Sequence, residues 1–236
     1  MLTGKVALIT GASKGLGKAI ALAYAKEGAK IVINSRSEEG VRTVAGEIEG
    51  LGGEYLAIAA DVSTKEGAEK LVGETVERFG SIDILVNNAG ILGPRVAIAE
   101  YPEDEWKAVI EANINGPFLM SKAASAHMGS GGSIINVVSG VSVEGRAEWG
   151  AYSVSKFGLE GLSQILAAEL EERNIRSNAV DPGGMRTEMR AAAYPDEDPM
   201  SRITPEENTA VFIYLASDES KGVSGRRFKA QEFERR

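Results

Sequence analysis

Residues 6–17 read Val6-Ala7-Leu8-Ile9-Thr10-Gly11-Ala12-Ser13-Lys14-Gly15-Leu16-Gly17, and the helical run Ala19 to Tyr24 follows them. An apolar strand, a glycine-rich turn and a helix therefore succeed one another. Glycines let the backbone turn tightly and approach a ligand, and free N–H groups at the start of a helix attract phosphate oxygens. The spacing Gly-x-x-x-Gly-x-Gly differs from the Gly-x-Gly-x-x-Gly dinucleotide fingerprint, so further motifs are needed. The expected pyrophosphate cradle comprises Gly11, Ser13, Lys14, Gly15, Leu16 and Gly17.

Short apolar runs alternate along the chain with longer amphipathic stretches. The runs, rich in Val, Ile and Leu, predict buried strands near residues 5–10, 30–34, 54–60, 82–86, 133–138 and 175–180. The amphipathic stretches predict helices near residues 15–27, 38–51, 64–79, 103–127, 150–172 and 205–217. This alternation predicts an α/β fold of the doubly wound Rossmann type, in which helices cover both faces of a parallel sheet.

We expect a single domain over residues 1–236, because a chain of this length forms one sizeable core. Open parallel sheets bind ligands at the carboxyl ends of their strands, and the motifs below fall there. The longest irregular segment runs from Gly183 to Thr204, where Pro195 and Pro199 break any helix. A loop of this length in a compact domain predicts a lid over the site at about residues 183–204.

The composition excludes several classes of function. The formal charge is −8, so we expect no nucleic-acid partner, since duplex binding depends on Lys and Arg neutralising phosphates. The absence of cysteine excludes disulfides and thiolate zinc sites, and the single histidine, His127, argues against a catalytic metal site, so we expect no metal. Apolar runs such as Ile82 to Val86 are too short to span a bilayer, and the first strand begins too early for a signal peptide. We therefore expect no membrane segment and a cytoplasmic location.

Tyr152 and Lys156 are four residues apart in a predicted helix, so their side chains emerge on the same face, with Cβ atoms about 5–6 Å apart. Free tyrosine has a pKa of about 10, and a neighbouring ammonium group favours the phenolate and lowers that pKa. A carbonyl that accepts a hydride needs such a proton donor. The pair alone is a weak signal, because the same spacing is typical of an amphipathic helix with a half-buried tyrosine.

Further motifs occur in a fixed order along the chain. They are the glycine turn from Thr10, Asn87-Asn88-Ala89-Gly90, Asn113, Ser139, Tyr152-x-x-x-Lys156 and Pro182-Gly183. Together they resemble the short-chain dehydrogenase/reductase family over about residues 3–217, with comparable similarity to 3-oxoacyl-thioester reductases and carbonyl reductases. The resemblance implies an enzyme that transfers a hydride between a nicotinamide cofactor and a small-molecule carbonyl or secondary alcohol.

The resemblance also implies a role for each catalytic residue. Tyr152 would be the general acid in carbonyl reduction and the general base in alcohol oxidation, and Ser139 would hydrogen-bond the substrate oxygen. Lys156 would lower the pKa of Tyr152 and hold the ribose hydroxyls next to the nicotinamide. Asn113 would anchor a water that links Lys156 to solvent.

The resemblance also implies which residues contact the cofactor and how the subunits assemble. The implied cofactor contacts are Asn88, Ala89 and Gly90 at the adenine-side ribose, Asp61 and Val62 at the adenine, and Pro182, Gly183 and Thr187 at the nicotinamide carboxamide. Asp61 is also placed to cap the helix that follows it. Family members assemble as homodimers or homotetramers through long helices, but the run from Gly225 to Arg236 departs from their usual last strand and ending. The number of subunits therefore stays open.

The charge after the second strand indicates which cofactor is used. NAD enzymes of this architecture place an acidic residue there for the adenosine ribose, whereas a 2′-phosphate needs arginine. This chain has Ser35 at that position, followed by Arg36, and Lys14 is expected to approach the same phosphate as a second cation. We therefore predict NADP(H) rather than NAD(H).

Two other functions are compatible with parts of the sequence. Residues 11–15 satisfy the Gly-x-Ser-x-Gly pattern of a hydrolase nucleophile elbow, in which Ser13 would need the single histidine, His127. His127 is better explained as a packing residue near a helix end. The other alternative is a non-catalytic nucleotide-binding sensor of the same fold, against which the intact set of Ser139, Tyr152 and Lys156 argues.

Overall fold

The apolar run at the start of the chain forms strand β1 (Val6–Ile9) inside a seven-stranded sheet in the computed structural model, which describes residues 1–234. The other strands are β2 (Lys30–Ser35), β3 (Tyr55–Ala59), β4 (Ile84–Asn87), β5 (Ser133–Val137), β6 (Arg176–Asp181) and β7 (Arg227–Lys229). The sheet order is β3-β2-β1-β4-β5-β6-β7, and every pairing is parallel.

Helices connect the strands and cover both faces of the sheet. They are α1 (Gly15–Lys26), α2 (Glu38–Gly50), α3 (Lys65–Phe79), α4 (Glu103–Ile110), α5 (Gly116–Ser125), α6 (Gly150–Glu169), α7 (Glu188–Ala193) and α8 (Ala210–Ala216). The expected fold class, a doubly wound Rossmann-type α/β fold, is confirmed.

The alternation of side chains along β1 divides the core between the two faces. Ala7 and Ile9 join a buried cluster with α1, α2 and α8, whereas Val6 and Leu8 join a second buried cluster with α3, α5 and α6. Successive residues of a strand point to opposite faces, so a strand that is covered on both sides is apolar throughout. This explains why the strands of this chain read as continuous apolar runs.

The strand order reverses between β1 and β4, because the chain runs outward from β1 through β2 to β3 and then returns to the other side of β1. In open α/β sheets the crevice at the carboxyl ends of such a strand pair is the usual ligand site. Gly11 follows β1 and Asn88 follows β4. The fold therefore brings two of the predicted motifs to this crevice.

The helix predicted at 103–127 is interrupted. A π-helical turn, Glu111–Asn115, separates α4 from α5. A π turn inserts one extra residue into a helix, and such turns are common at functional sites. Here the turn carries Asn113, whose side chain is fully buried. Residue periodicity does not predict the interruption, because its cause is the tertiary contacts of Asn113 described below.

The segment 183–204 is more ordered than its prolines indicated. It contains α7, whose N-terminus is capped by Thr187, since the hydroxyl of Thr187 accepts the N–H of Arg190 at 3.2 Å. Glu197 then pairs with Arg190 and Arg202 across the loop. The prediction that no helix forms in this segment was wrong, because Pro195 and Pro199 both lie beyond α7 and do not interrupt it.

A seventh strand, β7, lies within the C-terminal run and was not among the predicted strands. Its backbone pairs with the last half of β6, with Ala179 opposite Arg227 and Asp181 opposite Lys229. The last two residues of the run, Arg235 and Arg236, lie outside the described residues. Within residues 1–234, no helix combines the length and the apolar character needed to cross a bilayer.

Candidate active site

The glycine turn after β1 fits closely against the loop after β4. Gly11 has φ +63°, and a Cβ there would lie 2.7 Å from the Cα of Ala89. A Cβ at Gly17 would lie 2.5 Å from the side-chain nitrogen of Asn88. Asn88 in turn donates hydrogen bonds to the carbonyls of Thr10 and Gly11, at 2.9 and 3.1 Å. The predicted residues Asn88 and Ala89 therefore shape the turn, and any larger residue at Gly11 or Gly17 would displace it.

The start of α1 fits a phosphate group. In the part of the chain that the structure describes, no side chain caps this helix, whose N-cap residue is Lys14. The first N–H groups of a helix have no partner within the helix, and the helix dipole adds positive potential there. The hydroxyl of Ser13 and the backbone of Gly15 lie at the same turn. These residues therefore fit the pyrophosphate of a dinucleotide.

Two predicted cofactor residues, Leu16 and Val62, are buried in the core. Their exposed fractions are 7% and 6%, and they belong to the two opposite core clusters. Buried apolar side chains stabilise the sheet faces and leave only backbone atoms for a ligand. Their positions in the sequence do not show whether the side chains are buried in the core, as those of Leu16 and Val62 are, or reach the crevice.

Asp61 lies after β3, and its carboxylate accepts hydrogen bonds from the turn that follows it rather than from the N-terminus of α3. Its carboxylate accepts the N–H and the hydroxyl of Ser63, at 3.0 and 2.7 Å. Burial raises the pKa of Asp61, but these hydrogen bonds and the charge of Arg36 outweigh it, so the pKa lies below its ordinary value. The cap of α3 is Thr64, whose hydroxyl accepts the N–H of Gly67 at 3.0 Å. The expectation that Asp61 caps this helix was therefore wrong.

The two cations predicted to meet at a 2′-phosphate have different neighbours. Arg36 is exposed directly after β2, close enough to Asp61 to lower the pKa of its carboxyl group. Lys14 instead forms an ion pair with Glu188 at the start of α7. Exposed pairs of this kind are weak, so Lys14 is held loosely. The meeting of Lys14 and Arg36 at one phosphate stays a prediction.

Tyr152 and Lys156 lie on one face of α6, as predicted, and both are buried. Their exposed fractions are 9% and 4%. The Lys156 ammonium lies 5.7 Å from the centroid of the Tyr152 ring and donates a hydrogen bond to the carbonyl of Val137 at 2.7 Å. Ser139, which follows β5, contacts the Tyr152 hydroxyl. The structure therefore brings Ser139, Tyr152 and Lys156 together at the carboxyl end of β5.

The protonation of this group differs from the sequence expectation. Burial raises the pKa of Tyr152 to about 12; the contact with Ser139 lowers it and the Asp181 carboxylate raises it. Burial also lowers the pKa of Lys156 to about 8. The expected lowering of the Tyr152 pKa was wrong for this structure, because the ammonium is directed at the Val137 carbonyl and desolvation outweighs its attraction for a phenolate.

Asn113 joins the π turn to two neighbouring segments. Its side-chain oxygen accepts the N–H of Ile91 at 2.8 Å, and its side-chain nitrogen donates to the carbonyl of Ile91 at 2.9 Å and to the hydroxyl of Ser155 at 3.1 Å. A Cβ at Gly90 would lie 3.0 Å from the Asn113 oxygen and 3.7 Å from the Lys156 ammonium. Asn113 therefore fixes the Gly90 loop against the helix that carries Tyr152 and Lys156.

Pro182 and Gly183 form a turn beside the same group. Gly183 has φ +67°, and its N–H donates to the carboxylate of Asp181 at 3.0 Å. Thr187 lies across from the glycine turn, where its methyl group would be 3.6 Å from a Cβ at Gly15. The predicted residues Pro182, Gly183 and Thr187 therefore line one side of the crevice, opposite Gly15.

A cavity of about 240 Å³ opens in front of Tyr152 and Ser139. Trp149 and Tyr194 form one wall, with their ring centroids 6.0 Å apart. The guanidinium of Arg95 lies over both rings, at 4.9 and 5.2 Å, and donates to the carbonyl of Ala193 at 2.6 Å. No sequence motif marks Arg95, which joins the segment 183–204 to the cavity wall.

Asp181 is a second residue of the site that was not predicted from the sequence. It lines the cavity and acts on the pKa of Tyr152. The sequence did contain a signal for Asp181, because this residue lies between the strand predicted at residues 175–180 and the Pro182-Gly183 motif. Its arginine partner, Arg227 on β7, carried no such signal, because it lies in the C-terminal run that departs from the family pattern.

The hydrolase alternative is incompatible with the topology. Ser13 follows the carboxyl end of β1, whereas the carbonyl of His127 accepts the N–H of Ile82, just before the amino end of β4. Because β1 and β4 run parallel, Ser13 and His127 lie at opposite ends of the sheet. A serine and a histidine must be within hydrogen-bond reach to act as a nucleophile and its base.

Comparison with known proteins gives consistent matches. Residues 5–198 match the family described as short chain dehydrogenase. The 3-oxoacyl-[acyl-carrier-protein] reductase of Thermotoga maritima is 38% identical over 234 residues, which cover 95% of each chain. A short chain dehydrogenase from Shigella flexneri, complexed with NADP, has a TM-score of 0.91 at 36% identity, and the match covers 98% of each chain. Another from Escherichia coli CFT073, complexed with NADPH, has a TM-score of 0.91 at 35% identity, again over 98% of each chain.

Proposed function

The chain belongs to the short chain dehydrogenase family, and we propose that it is an NADP(H)-dependent oxidoreductase that transfers a hydride between nicotinamide and a carbonyl or secondary alcohol. The observation that carries the proposal is the position of the Tyr152 hydroxyl, which contacts Ser139 in the lining of the cavity, with the Lys156 ammonium 5.7 Å from the Tyr152 ring. The cytoplasmic location expected from the sequence is part of the same proposal.

Tyr152 is suited to give a proton to a carbonyl oxygen. With a pKa of about 12 it carries its proton throughout the neutral range. When bound, the nicotinamide cofactor supplies two electrons and one hydrogen as hydride to the carbonyl carbon. Tyr152 then gives its proton to the carbonyl oxygen, which becomes the hydroxyl of the product, and Ser139 hydrogen-bonds that oxygen as negative charge develops on it. In alcohol oxidation the same two groups act in reverse.

Other residues hold the cofactor in this proposal. The glycine turn and the start of α1 take the pyrophosphate, and Lys156 takes the ribose hydroxyls next to the nicotinamide. Asn113 keeps Gly90 and α6 in register, so that the ribose and the tyrosine face the same side of the nicotinamide. Pro182, Gly183 and Thr187 border the nicotinamide itself. The water that the resemblance assigns to Asn113 stays a prediction.

The direct test is NADPH oxidation by the purified protein with a panel of acyl thioesters, sugars, steroids and small ketones. We expect turnover with at least one of these classes, and the class that reacts identifies the substrate group. NADPH binding without turnover across the whole panel would instead support the non-catalytic sensor.

The preference for NADP(H) rests on Arg36 and on the uncharged Ser35 before it. The Ser35 hydroxyl donates to the carbonyl of Ser37 at 2.8 Å, so no carboxylate occupies this position to repel a 2′-phosphate. We expect Arg36→Ala to raise the Kd for NADPH about tenfold or more, because charge-assisted hydrogen bonds contribute about 1.5–3 kcal/mol, and to leave the Kd for NADH unchanged. Fluorescence titration with both cofactors measures this.

A matched control for Arg36 lies on the next helix. Arg42 on α2 is an exposed cation that pairs with Glu38, so Arg42→Ala changes the net charge by the same amount without touching the ribose position. We expect no change in either Kd for this variant. A wild-type protein that binds NADH more tightly than NADPH would refute the assignment.

We also propose a homo-oligomer, a dimer or a tetramer, packed through the long helices. Large apolar side chains are exposed along one stripe of α6 and on α5: Val154, Phe157, Ile165 and Phe118. Residues 154, 157 and 165 recur at helical spacing, so they share a face. Exposed apolar surface of this kind is typical of an interface between subunits.

A further inference from the structure

The C-terminal strand β7 reaches the catalytic end of the sheet through the side chain of Arg227. One terminal nitrogen of its guanidinium donates to the backbone carbonyl of Ser139 at 2.9 Å and to the carboxylate of Asp181 at 3.0 Å. Its Nε lies 3.3 Å from the carboxylate of Glu160, on the helix that carries Tyr152. The side chains of Arg227 and Asp181 are only 20% and 11% exposed. One arginine therefore joins the ends of β5, β6 and α6 behind the cavity.

The same segment holds the Pro182-Gly183 turn. While one oxygen of Asp181 is paired with Arg227, the other accepts the N–H of Gly183 at 3.0 Å. Gln231, just after β7, donates to the carbonyl of Pro182 and to that of Gly184, both at 2.9 Å. The turn is thus fixed from two sides by the chain's last described segment.

We propose that Arg227 is a positioning residue of this active site, which fixes the strand end that carries Ser139 against the Pro182-Gly183 turn. The C-terminal segment 227–231 is then part of the catalytic architecture, although it lies outside the predicted motifs. The inference takes the roles of Ser139 and Tyr152 from the proposed function. The contacts of Arg227 that support it are independent of that function.

Charge gives Arg227 a second effect on the site. Several charged side chains surround Tyr152: Lys156 on α6, Asp181 on β6, Arg227 and Glu160 behind Asp181, Arg95 on the loop after β4, and Arg146 and Arg190 in the lining of the same cavity. Of these, Asp181 raises the pKa of Tyr152, and Arg227 is its ion-pair partner. Removing the guanidinium would leave a buried carboxylate beside the phenol without its counter-charge, which disfavours the phenolate further.

The test compares Arg227→Gln with Arg226→Gln, a change of the adjacent, exposed arginine that removes the same charge. Two quantities are measured: kcat/KM and the deuterium exchange of the peptide that contains Gly183. For Arg227→Gln we expect kcat/KM to fall about 10–100-fold, as small misplacements in active sites do, and the exchange to become faster. Arg226→Gln should change neither quantity.

Two further variants separate charge from position. Asp181→Asn combined with Arg227→Gln removes both charges but does not restore the position of the turn, so kcat/KM should stay low and the exchange fast. Arg227→Lys keeps the charge and should restore part of kcat/KM. If Arg227→Gln only lowers the Tm, with wild-type kcat/KM and wild-type exchange at Gly183, Arg227 is merely structural and the proposal fails. Lack of turnover in the wild-type protein overturns the proposed function instead, and the exchange measurement still tests the positioning role.

Discussion

Replacing Tyr152 with phenylalanine is expected to lower kcat for carbonyl reduction by about 10²–10⁴-fold, the contribution typical of a general acid. The ring and its packing against Trp149, at 5.7 Å between centroids, are kept, so only the proton donor is removed. The Kd for NADPH should change little, because the pyrophosphate cradle and Lys156 are untouched. Stopped-flow or steady-state NADPH oxidation and a fluorescence titration measure the two quantities.

The control for this variant is Tyr55→Phe, which removes a tyrosine hydroxyl at the first residue of β3, away from the cavity. It should leave kcat unchanged. Turnover of Tyr152→Phe at the wild-type rate would remove the basis of the mechanism, even if the protein proved to be an oxidoreductase.

The pH dependence follows from the same hydroxyl. Because burial raises the pKa of Tyr152 to about 12, the acid form needed for reduction is present throughout the neutral range. Alcohol oxidation needs the phenolate, whose fraction grows about tenfold per pH unit below the pKa. We therefore expect oxidation to accelerate with rising pH up to about 8, where Lys156 begins to lose the ammonium proton with which it holds the cofactor ribose, while reduction stays level near neutrality. Rate profiles in both directions measure this.

Replacing Lys156 with methionine is expected to reduce turnover and raise stability at the same time. Turnover should fall about 100-fold or more, because the ammonium holds the cofactor ribose in the proposed mechanism. The stability effect comes from burial, which lowers the pKa of Lys156 from 10.5 to about 8. A shift of this size corresponds to a cost on the order of 3 kcal/mol for keeping the ammonium in the folded protein near pH 7. Methionine removes that cost, less about 1 kcal/mol for the lost hydrogen bond to Val137.

The sign of this effect can be checked by its pH dependence. Between the folded pKa of about 8 and the unfolded value of 10.5, the unfolded chain binds more protons at Lys156 than the folded one does. The wild type therefore gains stability from this residue as the pH rises through that window, and its cost is fully present below pH 8. The advantage in Tm of Lys156→Met should be largest near pH 7 and shrink toward pH 10, as thermal unfolding at several pH values will show. A variant less stable than wild type at pH 7 would contradict this account.

Much of the architecture could be predicted because periodicity and turn chemistry are local. The apolar runs at Val6–Ile9 and Ser133–Val137 have the composition of strands buried on both faces, and the observed sheet agrees. The four-residue spacing of Tyr152 and Lys156 fixes their common face on any helix. The π turn at Glu111–Asn115 depends instead on the contacts of Asn113 with Ile91 and Ser155, which are far apart in sequence.

The pKa values and ion pairs of the site could not be predicted from the sequence, because they depend on the side chains that surround each residue in the fold. The direction of the Tyr152 pKa shift is set by burial and by Asp181, and neither is visible in the spacing to Lys156. Lys14 pairs with Glu188, a residue 174 positions away, so this ion pair could not be predicted from the glycine turn. In both cases a residue that is distant in sequence sets a property, the pKa of Tyr152 or the ion pair of Lys14, of a residue whose place in the fold was predicted.

The short β7 also has a consequence for the behaviour of the protein in solution. All six residues of β6 are buried, and β7 covers the second half of that strand with its backbone. Strands left uncovered offer free N–H and C=O groups to other chains and promote aggregation. A protein shortened before Arg227 would therefore expose the backbone groups of a longer, buried strand. With β7 in place, the edge of the sheet is only three residues long and carries Arg227 and Lys229, features that limit self-association.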